Sequence, residues 1–277
     1  LALATLGAWW LADRRPWASA ACLAVACIKP TFGGPLLVLM LLRGNYRAAF
    51  VGLALAVVAN LAVLALFLPH ELTNPRPLEL LAANQAATES DSAVDPLQSA
   101  SRVDLPFVVE RLWGQHLPGF VRFGLSLILL AVAGWSLRCR ASDKAPSDGN
   151  RELLSAAFAC LTIAICIYHN IYDALLVAVP GVAAWRVLAD AKEPTSRWWG
   201  TSLMICLVVP ALSYFSSKQF LTLLAEFLPQ LAGISSHAAL WTLLCTLNGI
   251  SLTIAWCLLL VLIRRELRTQ RPQPRSA

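Results

Sequence analysis

Three short stretches carry side chains that could do chemistry. The first is Lys29-Pro30, which stands between two apolar runs, Trp17–Ile28 and Thr31–Leu42. An ionisable residue at membrane depth costs about 2.5–3.5 kcal/mol on insertion scales, so such a residue is a functional candidate by default. A lysine there suits an anionic lipid phosphate or pyrophosphate near the outer leaflet; the simpler alternative is an ammonium that snorkels to the headgroups. The second stretch is Tyr168-His169-Asn170-Ile171-Tyr172-Asp173, with five hydrogen-bonding side chains in six positions. His169 or Asp173 could bind a sugar hydroxyl or assist proton transfer, with Tyr172 as a wall; alternatively the segment is an interfacial turn with ordinary belt residues. A carboxylate at that depth needs a partner, and Lys29 would serve if the two stretches pack together. The third is Ser101-Arg102-Val103-Asp104, where Arg102 could clamp a phosphate. Glu89-Ser90-Asp91 is a carboxylate pair of a kind that can hold a divalent ion, but two acids in a polar loop are more often simply solvated.

The elements that must position these residues are set by hydrophobicity. Of the 277 residues 58% are hydrophobic and only 14% charged, with a mean hydropathy of +0.64. A soluble domain is nearer 45–50% apolar and about 25% charged, so a soluble enzyme and a disordered chain are both excluded. Ala48–Leu68 has no charge and reaches about 31 Å as a helix, the thickness of a bilayer core. Further apolar runs follow at Gly119–Leu137, Leu153–Tyr168, Ile171–Ala189, Trp198–Tyr214 and Ala239–Ile263. The expected fold is an all-α integral membrane bundle, one polytopic domain over 1–277, with two broken hairpins and one long outer loop at 69–118. Leu1–Ala12 is too short to cross and reads as the end of a helix that begins upstream, so the sequence is expected to be the C-terminal portion of a longer protein. The eight cysteines lie in or beside apolar runs with no C-x-x-C pair, as small buried hydrophobes do.

Two runs of half a span flank Lys29-Pro30, and proline breaks the helical ladder there. Basic clusters lie at both outer flanks, Arg14-Arg15 and Arg43/Arg47. Two short helices therefore rise from the cytoplasmic side, meet at Lys29-Pro30 and return, with the break covered by protein or a water-filled cavity. The same device recurs at 168–173. The segments 13–16, 43–47, 138–152, 186–197 and the basic tail 264–277 then lie inside, and Lys29, 69–118, 168–173 and 214–238 outside. This places 16 of the 22 basic residues inside and, with Arg122 counted at the outer end of the Gly119–Leu137 run, 6 outside, as the positive-inside rule requires. The net charge of +6 needs no nucleic-acid partner. In the outer loop, Pro77–Ala87 and Val103–Trp113 have helical spacing, the latter with Asp104 as N-cap ahead of Pro106. Nucleotide-loop, zincin and serine-hydrolase motifs do not occur.

The run Ala26-Cys27-Ile28-Lys29-Pro30-Thr31-Phe32, its apolar return through Pro35-Leu36-Leu37, and the following Leu42-Arg43-Gly44-Asn45-Tyr46-Arg47 resemble glycosyltransferase family 87. Tyr172-Asp173-Ala174-Leu175-Leu176 with Pro180 is similar to a later element of that family. The resemblance implies a GT-C fold and an inverting, mannosyltransferase-like transfer from a polyprenyl-phosphate sugar to a lipid or glycan acceptor. No cofactor is implied, and a divalent metal, though possible, has no support. It implies a catalytic carboxylate upstream of this chain, so Glu89 and Asp91 are not put in its place. Lys29 or Arg102 would offset charge on the departing lipid phosphate. A different class, a transporter or lipid flippase, also uses broken helices around charged residues; it predicts a midplane cavity between pseudo-symmetric halves. A non-catalytic scaffold predicts that Lys29 and Asp173 tolerate alanine.

Overall fold

Two prolines set the first hairpin. Proline has no N–H to lose at the first helical position and its fixed φ suits the helix, and Pro16 and Pro30 each open one. A computed structural model describes residues 1–71, 102–141, 149–167, 175–212 and 238–269. Its helices in chain order are α1 (Ala2–Leu11), α2 (Pro16–Ala26), α3 (Pro30–Arg43), α4 (Tyr46–Glu71), α5 (Leu105–Trp113), α6 (Gly119–Ala141), α7 (Gly149–Cys166), α8 (Leu175–Ala189), α9 (Pro194–Leu212) and α10 (Ala238–Thr269). No strand occurs among the described residues. Among the described residues four helices, α4, α6, α7 and α10, are long and apolar enough to cross a membrane. The chain is an all-α, multi-pass membrane protein, as its composition predicts.

The break at Lys29-Pro30 is present. Lys29 caps α3 in an extended conformation (φ −110°, ψ 104°), the conformation that a following proline favours. Close approach fixes the bend: a Cβ on Gly33 would overlap the backbone of Cys27. Gly44 ends α3 with φ 99°, the left-handed cap that lets its N–H and that of Asn45 return to the last carbonyls. Beyond it, Gly52 lets α4 lie against Ala20 and Leu23 of α2, and Gly134 lets α6 lie against Leu42 of α3.

The core is centred on α7, whose residues from Leu154 to Cys166 are all buried. A helix that is apolar on every side is an interior helix. It is surrounded by α3, α6, α8 and α10. Phe158 stacks on Trp256 of α10 with ring centroids 5.3 Å apart, and the Trp256 indole N–H donates to Thr162 Oγ1 at 2.8 Å. Thr162 passes its own proton to the Phe158 carbonyl at 2.7 Å, so this buried polar group is fully used. Apolar side chains left exposed, among them Phe50, Val58, Phe120, Ile128 and Trp135, are suited to lipid. Seven cysteines are described, all as free thiols.

Candidate functional site

The two ends of the bundle are built differently. At one end, ion pairs and hydrogen bonds join segments far apart in sequence. Asp13 accepts from Arg43 at 2.5 Å and from Asn45 at 2.6 Å. Arg14 Nη2 bridges both carboxylate oxygens of Glu152 at 2.9 and 3.1 Å. Asn150 donates to Asp190 at 3.1 Å, and Arg265 lies 4.7 Å over the ring of Trp199. The segments around residues 13, 43, 150, 190 and 265, grouped on one side by charge counting, are thus gathered at one end. The hairpin α2–α3 leaves this end at Pro16 and returns to it at Arg43, so Lys29 stands at its far tip. Lys29 is half-buried, and its Nζ lies 4.9 Å from the centre of the Phe32 ring.

The opposite end carries Lys29, α5 and the starts of α6 and α10. Cys166 belongs there because α7 starts at Glu152's end, and the Ser126 hydroxyl of α6 donates to the Cys166 carbonyl. Asp104 lies within electrostatic reach of Cys166. On α10, Gly249 admits α5, since a Cβ would overlap Val108 and come within 3.2 Å of the Val103 carbonyl.

The extended segment before α5 places Arg102 and Asp104 on one side, as residues two apart in an extended chain are. They form a buried bidentate pair, Nε to Oδ1 at 3.1 Å and Nη2 to Oδ2 at 2.9 Å. The Arg102 guanidinium also lies 5.4 Å over Phe107. Asp104 occupies the N-cap position expected of it, but makes no side-chain cap bond; Arg102 takes its oxygens instead. Helix α5 itself falls within the expected 103–113.

After α5, Gly114 (φ 69°) turns the chain and Pro118 leads into α6. The turn brings Arg122 back to Glu110. Glu110 is only 1% exposed, with Arg122 Nε against its Oε1 as a contact ion pair, and His116 Nδ1 3.6 Å from its Oε2. Charge pattern alone puts Arg122 among the outer cations and Glu110 among the acids of the 69–118 loop, and does not pair them. A glycine-proline turn between an acid and a base was the available signal. Helices α3 and α6 run the same way: Leu42 meets Gly134, and an equal number of residues back along each leads to Pro30 and Arg122. Over that distance, about 18 Å, the two residues come to the same level.

The structure therefore puts Lys29 and Arg102 at the same end of the bundle, Arg102 with its fork occupied. His169, Tyr172 and Asp173 lie outside the described residues, as does the Lys29–Asp173 pairing; so do Glu89, Asp91 and the helix expected at 77–87. Among the described residues no group of three or more His, Cys, Asp or Glu could hold a metal ion.

This arrangement, a broken hairpin with a lysine at its tip and a basic return, lies within a family match. The model for Glycosyltransferase family 87 covers residues 1–165, more than half of the chain. The chain belongs to glycosyltransferase family 87. The matched part includes α1 to α7 with Lys29, Arg102 and Arg122; the 168–173 segment lies beyond it. Neither the curated proteins nor the solved structures give a significant match. By family the chain is a membrane glycosyltransferase, with a sugar donor and an acceptor as substrates, and the transporter reading gains nothing from it.

Proposed function

We propose that this family 87 member, with a GT-C architecture, transfers a hexosyl group, mannosyl in the first instance, from a polyprenyl-phosphate donor to a lipid or glycan acceptor with inversion. The observation that carries this reading is the return of Arg43 to Asp13, which leaves Lys29 at the far tip of the hairpin beside the end that holds Arg102, Glu110 and Arg122. The basic end faces the cytoplasm and the opposite end, with loop 69–118, faces out. Transfer proceeds by removal of the acceptor hydroxyl proton by a carboxylate, attack of that oxygen on the anomeric carbon, and cleavage of the bond from that carbon to the lipid phosphate oxygen. No described residue is assigned as the base. Lys29 faces the leaving phosphate, where a fixed cation counters the charge as it develops. His169, Tyr172 and Asp173 contact the sugar. The absence of a Gly-rich phosphate loop from the sequence fits a lipid-linked donor.

The test is transfer from radiolabelled polyprenyl-phosphate mannose in membranes holding the full-length protein. Lys29→Ala should lower turnover at least tenfold with normal insertion, and Lys29→Arg should restore part of it. Full activity in Lys29→Ala removes the lysine from the site. Transfer from a nucleotide sugar but not from the lipid-linked one overturns the donor class.

A further inference from the structure

The pair Glu110–Arg122 is built as an anion receptor is built. Burying a carboxylate is costly, and removing its partner costs more still, so a wholly buried glutamate holds its arginine firmly in place. The closest approach of Arg122 to Glu110 is through Nε, as an ion pair without hydrogen-bond geometry. Its side chain is 38% exposed, and it makes no further ion pair or hydrogen bond among the described residues. Only Nε of the guanidinium is both buried and without a hydrogen bond; the two terminal amino groups make no hydrogen bond among the described residues and are not sealed from the surface. These are the groups that meet a phosphate bidentately. Arg122 also lies in the first turn of the 23-residue α6, where the helix dipole favours an anion, and, counted back from the Leu42–Gly134 contact between α3 and α6, at the level of Pro30. Arg102 differs on each point: it is buried, and its fork is spent on Asp104.

We propose that Arg122, positioned from behind by Glu110, binds the phosphate of the lipid-linked donor together with Lys29. This rests on the donor class proposed above and adds two residues to it, Arg122 as a ligand and Glu110 as a positioning residue. The alternative is a pair that merely ties α5 to α6.

Binding of tritiated decaprenyl phosphate to the full-length protein in nanodiscs separates the two. The double variant Glu110→Gln/Arg122→Gln removes both charges at nearly constant volume, so no charge is left buried alone; it should melt close to wild type and bind at least tenfold more weakly. Glu110→Gln alone keeps the guanidinium and should lose about threefold in affinity. Arg122→Lys keeps the ion pair but not the fork, should weaken binding several-fold, and reports even if the double variant does not fold. Unchanged affinity in Arg122→Lys and the double variant overturns the inference and leaves a structural pair. Competition by phosphatidylglycerol as strong as by decaprenyl phosphate overturns it in favour of a general lipid-headgroup contact, whereas competition by decaprenyl phosphate but not by decaprenol supports it. Loss of binding in Lys29→Ala with none in the double variant sinks Arg122 while the proposed function stands. A wild-type protein that does not bind decaprenyl phosphate sinks both.

Discussion

Arg43 and Asp13 meet at 2.5 Å across the mouth of the first hairpin, and the same guanidinium lies 4.7 Å over the ring of Trp9. One arginine therefore ties the end of α3 to the turn between α1 and α2. Asp13 also receives Asn45, so the left-handed cap at Gly44 is clamped from both sides. The clasp makes a broken helix pair a fixed element, with its tip held about 20 Å away by the length of α3.

Because Asp13 is well exposed, this clasp is expected to contribute little to stability: exposed ion pairs give about 0.2–1 kcal/mol. A double-mutant cycle of Asp13→Ala and Arg43→Ala, read by thermal unfolding in detergent, should give a coupling in that range. A coupling of several kcal/mol would mean that the pair is sealed from water in the full protein.

The tip of the hairpin should be far more sensitive. Gly33→Ala places a methyl group into the backbone of Cys27, 2.8 Å from its nitrogen, and backbone cannot move aside as a side chain can. A loss of about 1–3 kcal/mol is expected, as for overpacking elsewhere. Gly34, the next residue in α3, has nothing within 4 Å of its Cβ position. Gly34→Ala should be neutral or should stabilise by up to about 1 kcal/mol through helix propensity. Equal melting temperatures for the two variants would show that Gly33 does not make the close approach.

The hairpin and helix α5 were legible in the sequence because local rules decide them. A proline between two half-length apolar runs, basic flanks, and an Asp followed by Leu-Pro need no tertiary information. Arg102 was legible as a strong cation but not as a paired one: the pairing depends on the backbone staying extended through Val103, which side-chain type alone does not fix. Glu110 and Arg122 are separated by a turn whose direction is set by the left-handed Gly114, so their meeting depends on three-dimensional geometry. Arg14 and Glu152 lie 138 positions apart, and charge counting could place them on one side but could not pair them.

In the core, the hydrogen bond from Trp256 to Thr162 links α10 to α7. Thr162→Val keeps the shape but leaves the buried indole N–H without an acceptor, which costs about 1–3 kcal/mol. Trp256→Phe introduced into that background should recover part of the loss, because the unsatisfied donor is then gone. A thermal cycle on the four proteins measures this, and strictly additive losses would mean that the hydrogen bond contributes nothing beyond packing.

Orientation follows from charge, and it can be tested independently of activity. Asp190 is tied by Asn150 to the end that also holds Asp13 and Arg43, and Lys192 lies exposed two residues on. Gln115 lies exposed at the other end, beside the turn that joins α5 to α6. The excess of lysine and arginine in the first group of loops predicts that it faces the cytoplasm. In a background free of accessible cysteines, Gln115→Cys should react with a membrane-impermeant maleimide in intact cells, and Lys192→Cys should react only after permeabilisation. The reverse pattern would put Lys29, Arg122 and the phosphate site on the cytoplasmic face. Reaction of both in intact cells would mean that the ends joined by these contacts are not separated by a bilayer at all.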